Sequence, residues 1–182
     1  IALSLIWTSA YYSKAEELIP ELKGVVIIAE AKNTKAAGRP GITGALVEGL
    51  SFLSNEKVEV QLKDYFGKPL SKKTLTSLQQ ELIKLCRAED RPVVDVAIPE
   101  QEIVDGVIQI IIISAKIGTI VVENDGNKTV TDAEVLETFN LKAGDAISAS
   151  KIDSAADWFD RHPFRKANIS YKRGAPGMSD VL

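Results

Sequence analysis

The chain of 182 residues is short of most residues that do chemistry. It has one cysteine, Cys86, so no internal disulfide can form, and the leucine-rich stretch around it reads it as a small packed hydrophobe. Its one histidine, His162, stands in DRHPFR with no serine or cysteine nucleophile in a recognisable setting, which leaves a catalytic triad without support. His162 suits the C-terminal end of a helix, where the dipole favours it. Basic charge is not in excess: the formal net charge is −3, and no basic patch is interleaved with aromatics, so nothing attracts nucleic acid in bulk. Trp7 and Trp158 are isolated, and Trp158 is expected to pack or to touch a second unit. Gly38, Gly41 and Gly44 are not followed by Gly-Lys-Ser/Thr, so a phosphate cradle is not indicated. Glu100, Glu102 and Asp105 lack the spacing of a calcium loop and read as a solvated acidic turn. No cofactor, metal or catalytic role is expected.

Long apolar runs are also missing. The opening IALSLIWTSA is too short to span a bilayer and is followed by small residues, as in the end of a cleaved signal peptide. A short strand or a packed amphipathic helix is the alternative. Residues 1–15 are therefore expected to be a signal-peptide remnant or N-terminal segment.

What remains is a pattern of strands and helices that occurs twice. GVVIIA (24–29) is a strand, and residues 29–54 carry no clear pattern. Ser54 caps a short helix whose face is Val58, Leu62, Tyr65 and Phe66, broken by FGKPL (66–70). Ser71 caps a second helix with Leu75, Leu78, Leu82 and Leu85 as its apolar stripe. Val93 to Ile98 is a strand with one charge, Asp95, stopped by Pro99. Asp105-Gly106 is turn chemistry, and Val107 to Ile113 is a second strand with Gln109 its only polar residue. The second arm is apolar on both faces and belongs inside a sheet; the first suits an edge.

The order then repeats. Ile117 to Glu123 is a strand, and Thr131 and Glu134 form a T-x-x-E capping box ahead of Val135, Leu136 and Phe139. Ser150 and Asp153 start a helix facing inward with Ile152, Ala155, Ala156 and Phe159. Ala167, Ile169 and Tyr171 alternate with polar residues as a half-buried strand. SDVL opens a last strand that is expected to be incomplete. The predicted fold class is α+β: tandem β-α-α-β-β units, residues 16–115 and 116–182, each a three-stranded mixed sheet covered on one face by two helices. Ser114-Ala115-Lys116 is too short for a flexible linker, so the tandem is expected to be stiff.

This order, with the strings PVVDVAIPEQEIVDGVIQI, IGTIVVENDGN, GDAIS, WFDRHPFRKANISY and GAPGMSDV, resembles the POTRA domains of two-partner-secretion transporters, the hemolysin secretion/activation family of the Omp85 superfamily. The likeness runs over about residues 20–182, and His162 stands where that family has asparagine. The resemblance implies a non-enzymatic module on the periplasmic face of the bacterial outer membrane. Its partners would be a secreted polypeptide and the protein's own C-terminal β-barrel. It also implies client binding by β-augmentation on an exposed strand. The residues expected to serve are Val93, Val94, Asp95, Val96 and Ile98 on the edge, and a helix-side groove of Leu78, Leu82 and Leu85. The competing readings are a POTRA pair serving barrel assembly, a structural or adhesive interaction domain unrelated to export, and an enzyme.

Overall fold

A computed structural model describes residues 17–124, 130–162 and 165–182; the expected signal-peptide remnant lies outside them. The described chain opens with a short strand, β1 (Glu17–Ile19), and then β2 (Gly24–Ile28), which is buried at every position. A strand buried on both faces needs an unbroken apolar run, and GVVII is one. The segment without sequence pattern supplies a third strand, β3 (Gly44–Glu48), laid parallel to β2. Helix α1 (Asn55–Leu62) follows, and Ser54 caps it by accepting the Lys57 N–H. Tyr65 and Phe66 fall beyond its end but still pack on the core, because the turn at Tyr65 carries them back. The two-residue β4 (Leu70–Ser71) pairs antiparallel with β1.

Helix α2 (Lys72–Ala88) starts at a full capping box: Thr74 N–H donates to the Ser71 hydroxyl, and Ser71 N–H donates to Thr74 Oγ1. Strands β5 (Val94–Ala97) and β6 (Val107–Ser114) complete a sheet of order β3-β2-β6-β5. The isoleucine strand is central and the charged strand is an edge, as expected. The sheet has four strands where three were expected, because β3 comes from the segment whose pairing is parallel and long-range. Asp105 and Gly106 both take positive φ in a tight turn closed by Val107 N–H on the Val104 carbonyl.

Only Ala115 separates β6 from β7 (Lys116–Ile120), which opens the second sheet. Helix α3 (Asp132–Phe139) has the predicted reciprocal box between Thr131 and Glu134. Helix α4 (Ala149–Asp160) is capped two residues before the expected serine, by Ser148 and not by Ser150. Strands β8 (Tyr171–Arg173) and β9 (Met178–Val181) finish a sheet of order β7-β9-β8, with β9 paired on both sides. Both sheets share one plan. The first strand runs parallel to the last, and the penultimate strand is an antiparallel edge. Leu136, predicted on the inner face of α3, is exposed, since Val135 and Phe139 take the inward positions.

The first unit's core joins both faces of contact: Val25, Ile27, Ile108, Ile110 and Ile112 from the sheet, and Val58, Leu62, Leu78 and Leu82 from the helices. Val26, Ile28 and Val107 face the other way, under Ile42 and Leu46. The loop after β2 is pinned there by fully buried Gln109, whose amide donates to the Lys35 carbonyl and accepts the Lys35 N–H. The second unit's core is smaller: Ala115, Ile117, Ile147, Ile152 and Val181, with Val93 of the first unit packed against it. Asp90, in a left-handed turn after α2, reaches across to the start of α4. It accepts the Ser148 hydroxyl at 2.5 Å and the Ser150 N–H at 2.7 Å. Those two bonds hold its carboxyl below the ordinary aspartate range. These bonds and the Val93 contact tie the second unit to the first beyond the short connection.

Candidate functional site

A sheet ends in two strands, and each presents peptide groups that need partners. In the first unit β3 and β5 are these edges, and they are treated differently. On β3 the side chains of α1 do the bonding. Glu59 accepts the Ala45 N–H at 3.1 Å, and Asn55 Oδ1 accepts the Val47 N–H at 2.8 Å. Glycine at position 44 is part of this seal, because a Cβ there would run into the Glu59 carboxylate, and its φ is +79°. The outward N–H groups of β3 are thereby taken.

On β5 the register fixes which peptide groups face outward. Val94 lies opposite Ser114 and Val96 opposite Ile112. The Ala115 N–H donates to the Val93 carbonyl at 3.0 Å, so Val93 belongs to a bonded pair. Antiparallel pairs alternate, so Asp95 and Ala97 also turn inward to β6, and Val94 and Val96 turn their N–H and C=O groups outward. Gln101 corroborates this parity. Its side-chain amide accepts the Gln109 N–H and donates to the Gln109 carbonyl, both at 2.8 Å, on the flank of β6 that β5 has vacated. Gln101 stands in there for the one strand residue that would pair with Gln109.

The side chains of β5 alternate too. Val94, Val96 and Ile98 pack on the first core, and Asp95 and Ala97 face solvent. Asp95 lies 3.7 Å from Arg173 of β8, but both side chains are mostly exposed, so the pair contributes little. Val93 does not belong to the open edge: it is committed to β6 and to the second core. The helix-side groove needs a larger revision. Leu78 and Leu82 are fully buried and Leu85 is 9% exposed, so they form the seam between α2 and the sheet and offer no surface. The accessible recess lies further along, beyond the end of β5. It is an apolar cavity of about 220 Å³ lined by Leu18, Leu70, Leu75, Ile98, Pro99 and Ile103, with Glu100 and Gln101 at its side.

The second unit repeats the asymmetry. Its β7 flank is bonded by a loop, Ile117 N–H to the Asp145 carbonyl and Gly144 N–H to the Ile117 carbonyl. On β8, Ser170 and Leu182 exchange both backbone bonds, so Tyr171 and Arg173 turn outward. All three β8 side chains are exposed. In each unit, therefore, one edge is sealed and the penultimate strand is open. The overall fold has solved counterparts. CdiB from Escherichia coli matches over 99% of this chain with a TM-score of 0.65 at 13% identity, this chain spanning 29% of that one. POTRA1-3 of the periplasmic domain of Omp85 from Anabaena matches over 90% with a TM-score of 0.56 at 18% identity, and this chain covers 64% of it. CdiB from Acinetobacter baumannii matches over 90%, TM-score 0.58, 13% identity, with 28% of that chain covered.

The chain has the fold of tandem POTRA domains. No family model and no curated protein sequence matches it, so the likeness is carried by shape. Within this POTRA pair, groups suited to chemistry are scarce among the described residues. No three acidic, histidine or cysteine side chains converge as a metal site. Cys86 is buried, and burial pushes its thiol up to about 11, which keeps it from acting as a nucleophile at neutral pH. His162 meets half-exposed Trp158 edge-on, with ring centroids 5.7 Å apart. No described helix is long and apolar enough to cross a membrane.

Proposed function

We propose that this POTRA pair is the polypeptide-binding periplasmic portion of an outer-membrane two-partner-secretion transporter. It captures an unfolded secreted partner as an added strand on β5 and presents it to a C-terminal β-barrel. The carrying observation is the outward peptide groups of Val94 and Val96 on an edge with no strand beside it among the described residues, in a sheet whose other edge has its outward N–H groups taken by side chains. Backbone pairing tolerates varied client sequences, and it needs no nucleotide. The apolar recess beyond Ile98 supplies room for a bulky client side chain at the end of the paired stretch.

Proline substitution tests this directly. Val94→Pro and Val96→Pro each delete an outward donor and should leave the ladder to β6 intact. Both variants should melt close to the parent and lose affinity for an unfolded client segment, or abolish secretion in the full-length protein. Normal binding and secretion by folded Val94→Pro and Val96→Pro would sink the reading.

The likeness in shape to the Anabaena Omp85 POTRA domains supports a second reading, service in barrel assembly. The same edge would then take strands of immature outer-membrane barrels. Competition between a secreted-partner segment and a barrel-strand peptide for the same site separates the two.

A further inference from the structure

Helix α2 carries one polar residue on the flank that faces β5. Leu75, Gln79, Leu82 and Cys86 stand at helical spacing on that flank, and Gln79 alone among them carries an N–H donor. It uses that capacity on the edge strand: Gln79 Nε2 donates to the Val96 carbonyl at 3.2 Å. Val96 is one of the two β5 residues whose peptide groups face outward, so the oxygen Gln79 holds is one that an incoming strand would need. Val94, the other, has no such side chain on it among the described residues.

We propose that Gln79 is a latch on the β5 edge. It occupies the Val96 carbonyl in the free protein, so that strand capture is an exchange of one hydrogen bond for another and not an addition to a bare edge. The inference rests on the proposed use of β5 for client binding and adds the residue that sets its strength. Two consequences follow from the geometry. An edge with one acceptor occupied is a poorer template for a second copy of the same chain, which is the hazard of any open edge. And the client bond at Val96 is worth only its surplus over the Gln79 bond, which weakens capture and speeds release to the next stage. Gln79 acts through the Val96 carbonyl and is a positioning residue, not part of the paired surface.

The test measures binding of a fluorescently labelled peptide of alternating valine and threonine to the whole chain, in the parent, in Gln79→Ala and in Val94→Pro. Removing the latch should tighten binding by about 2–10-fold, the worth of one net intramolecular hydrogen bond, mainly through slower dissociation. Val94→Pro should lose binding. A purely structural Gln79 would leave affinity unchanged or lower it on substitution. Unchanged or weaker binding by Gln79→Ala, with Val94→Pro defective, therefore overturns the latch and leaves the edge reading standing. Normal binding by folded Val94→Pro overturns both. Should Val94→Pro fail to fold, hydrogen exchange on the parent decides the edge. Peptide saturation must slow exchange at the Val94 and Val96 amides, and unchanged exchange there overturns edge and latch together.

Discussion

The two edges of the first sheet are built from similar strands and end in opposite states. On β3 the neighbouring helix supplies two acceptors, Glu59 and Asn55, aimed at the outward N–H groups of Ala45 and Val47. On β5 the neighbouring helix supplies one donor, Gln79, to one outward carbonyl. The difference lies in the helices and not in the strands. A helix whose polar residues align with the strand's free donors closes an edge, and one whose facing stripe is apolar leaves it open. Edge availability is thus a property of the helix–strand pair, and the open edge falls where helix α2 is needed for the core.

The largest expected effect tests that division of labour on α2. Leu82→Ala should destabilise the first unit by about 2–5 kcal/mol, as truncation of a fully buried leucine does. Chemical denaturation checks it, with client binding at low denaturant close to the parent. A variant of parental stability that has lost binding would put Leu82 on the client surface after all.

A smaller loss is expected from Asp95→Pro. Its N–H faces β6, so proline there breaks a ladder bond and leaves the Ile113 carbonyl short of a partner, at about 1–3 kcal/mol. Thermal melting should fall well below that of Val94→Pro, one residue away. Equal melting temperatures for the two would refute the parity assigned to β5.

Gly44→Ala should unseal the other edge. The methyl group displaces the Glu59 carboxylate and is forced into a left-handed backbone position, at about 1–2 kcal/mol. Beyond the loss in stability, sedimentation should reveal concentration-dependent association through β3. A strictly monomeric variant would mean that Asn55 alone keeps this edge closed.

The smallest effect concerns the joint. Asp90→Asn should cost about 0.5–2 kcal/mol, as for a lost helix cap, and it should loosen the second unit relative to the first in small-angle scattering. Because the folded Asp90 carboxyl titrates below its ordinary value, it binds fewer protons folded than unfolded. Its contribution is complete above the ordinary aspartate range and disappears as pH falls toward its lower folded value. The acid limb of stability should therefore be shallower in Asp90→Asn, and an identical limb would remove Asp90 from the account of the joint.

Much of this architecture was legible because it is written in local chemistry. The Ser71 and Thr131 caps, the Asp105-Gly106 turn, the central place of the isoleucine strand and the edge place of its charged neighbour each depend on a few adjacent residues. Misreadings occurred where distant segments decide. Ser148 and Ser150 are equally good caps in isolation, and both turn out to bond Asp90, about sixty residues away in sequence, with Ser148 in the cap position. Leu78, Leu82 and Leu85 were correctly read as a helix stripe and then wrongly as a groove. Periodicity shows that a face is apolar but not whether a sheet already covers it. Gln79 had a visible signal, a polar residue at helical spacing within Leu75, Leu82 and Cys86, but no sequence pattern names its partner.

By itself, then, the sequence determined two β-α-α-β-β units, their caps and turns, and which hairpin arm is central, because propensity, capping and burial period act over a few residues. Tertiary structure alone decided the rest. Parallel pairing made β3 an edge, the register of β5 on β6 turned Val94 and Val96 outward, and helix placement put Glu59 and Asn55 on one edge and Gln79 on the other. Outward and inward peptide groups exchange on a shift of a single residue, and strand register is set by the packing of a whole face against a core, which no short stretch of chain encodes.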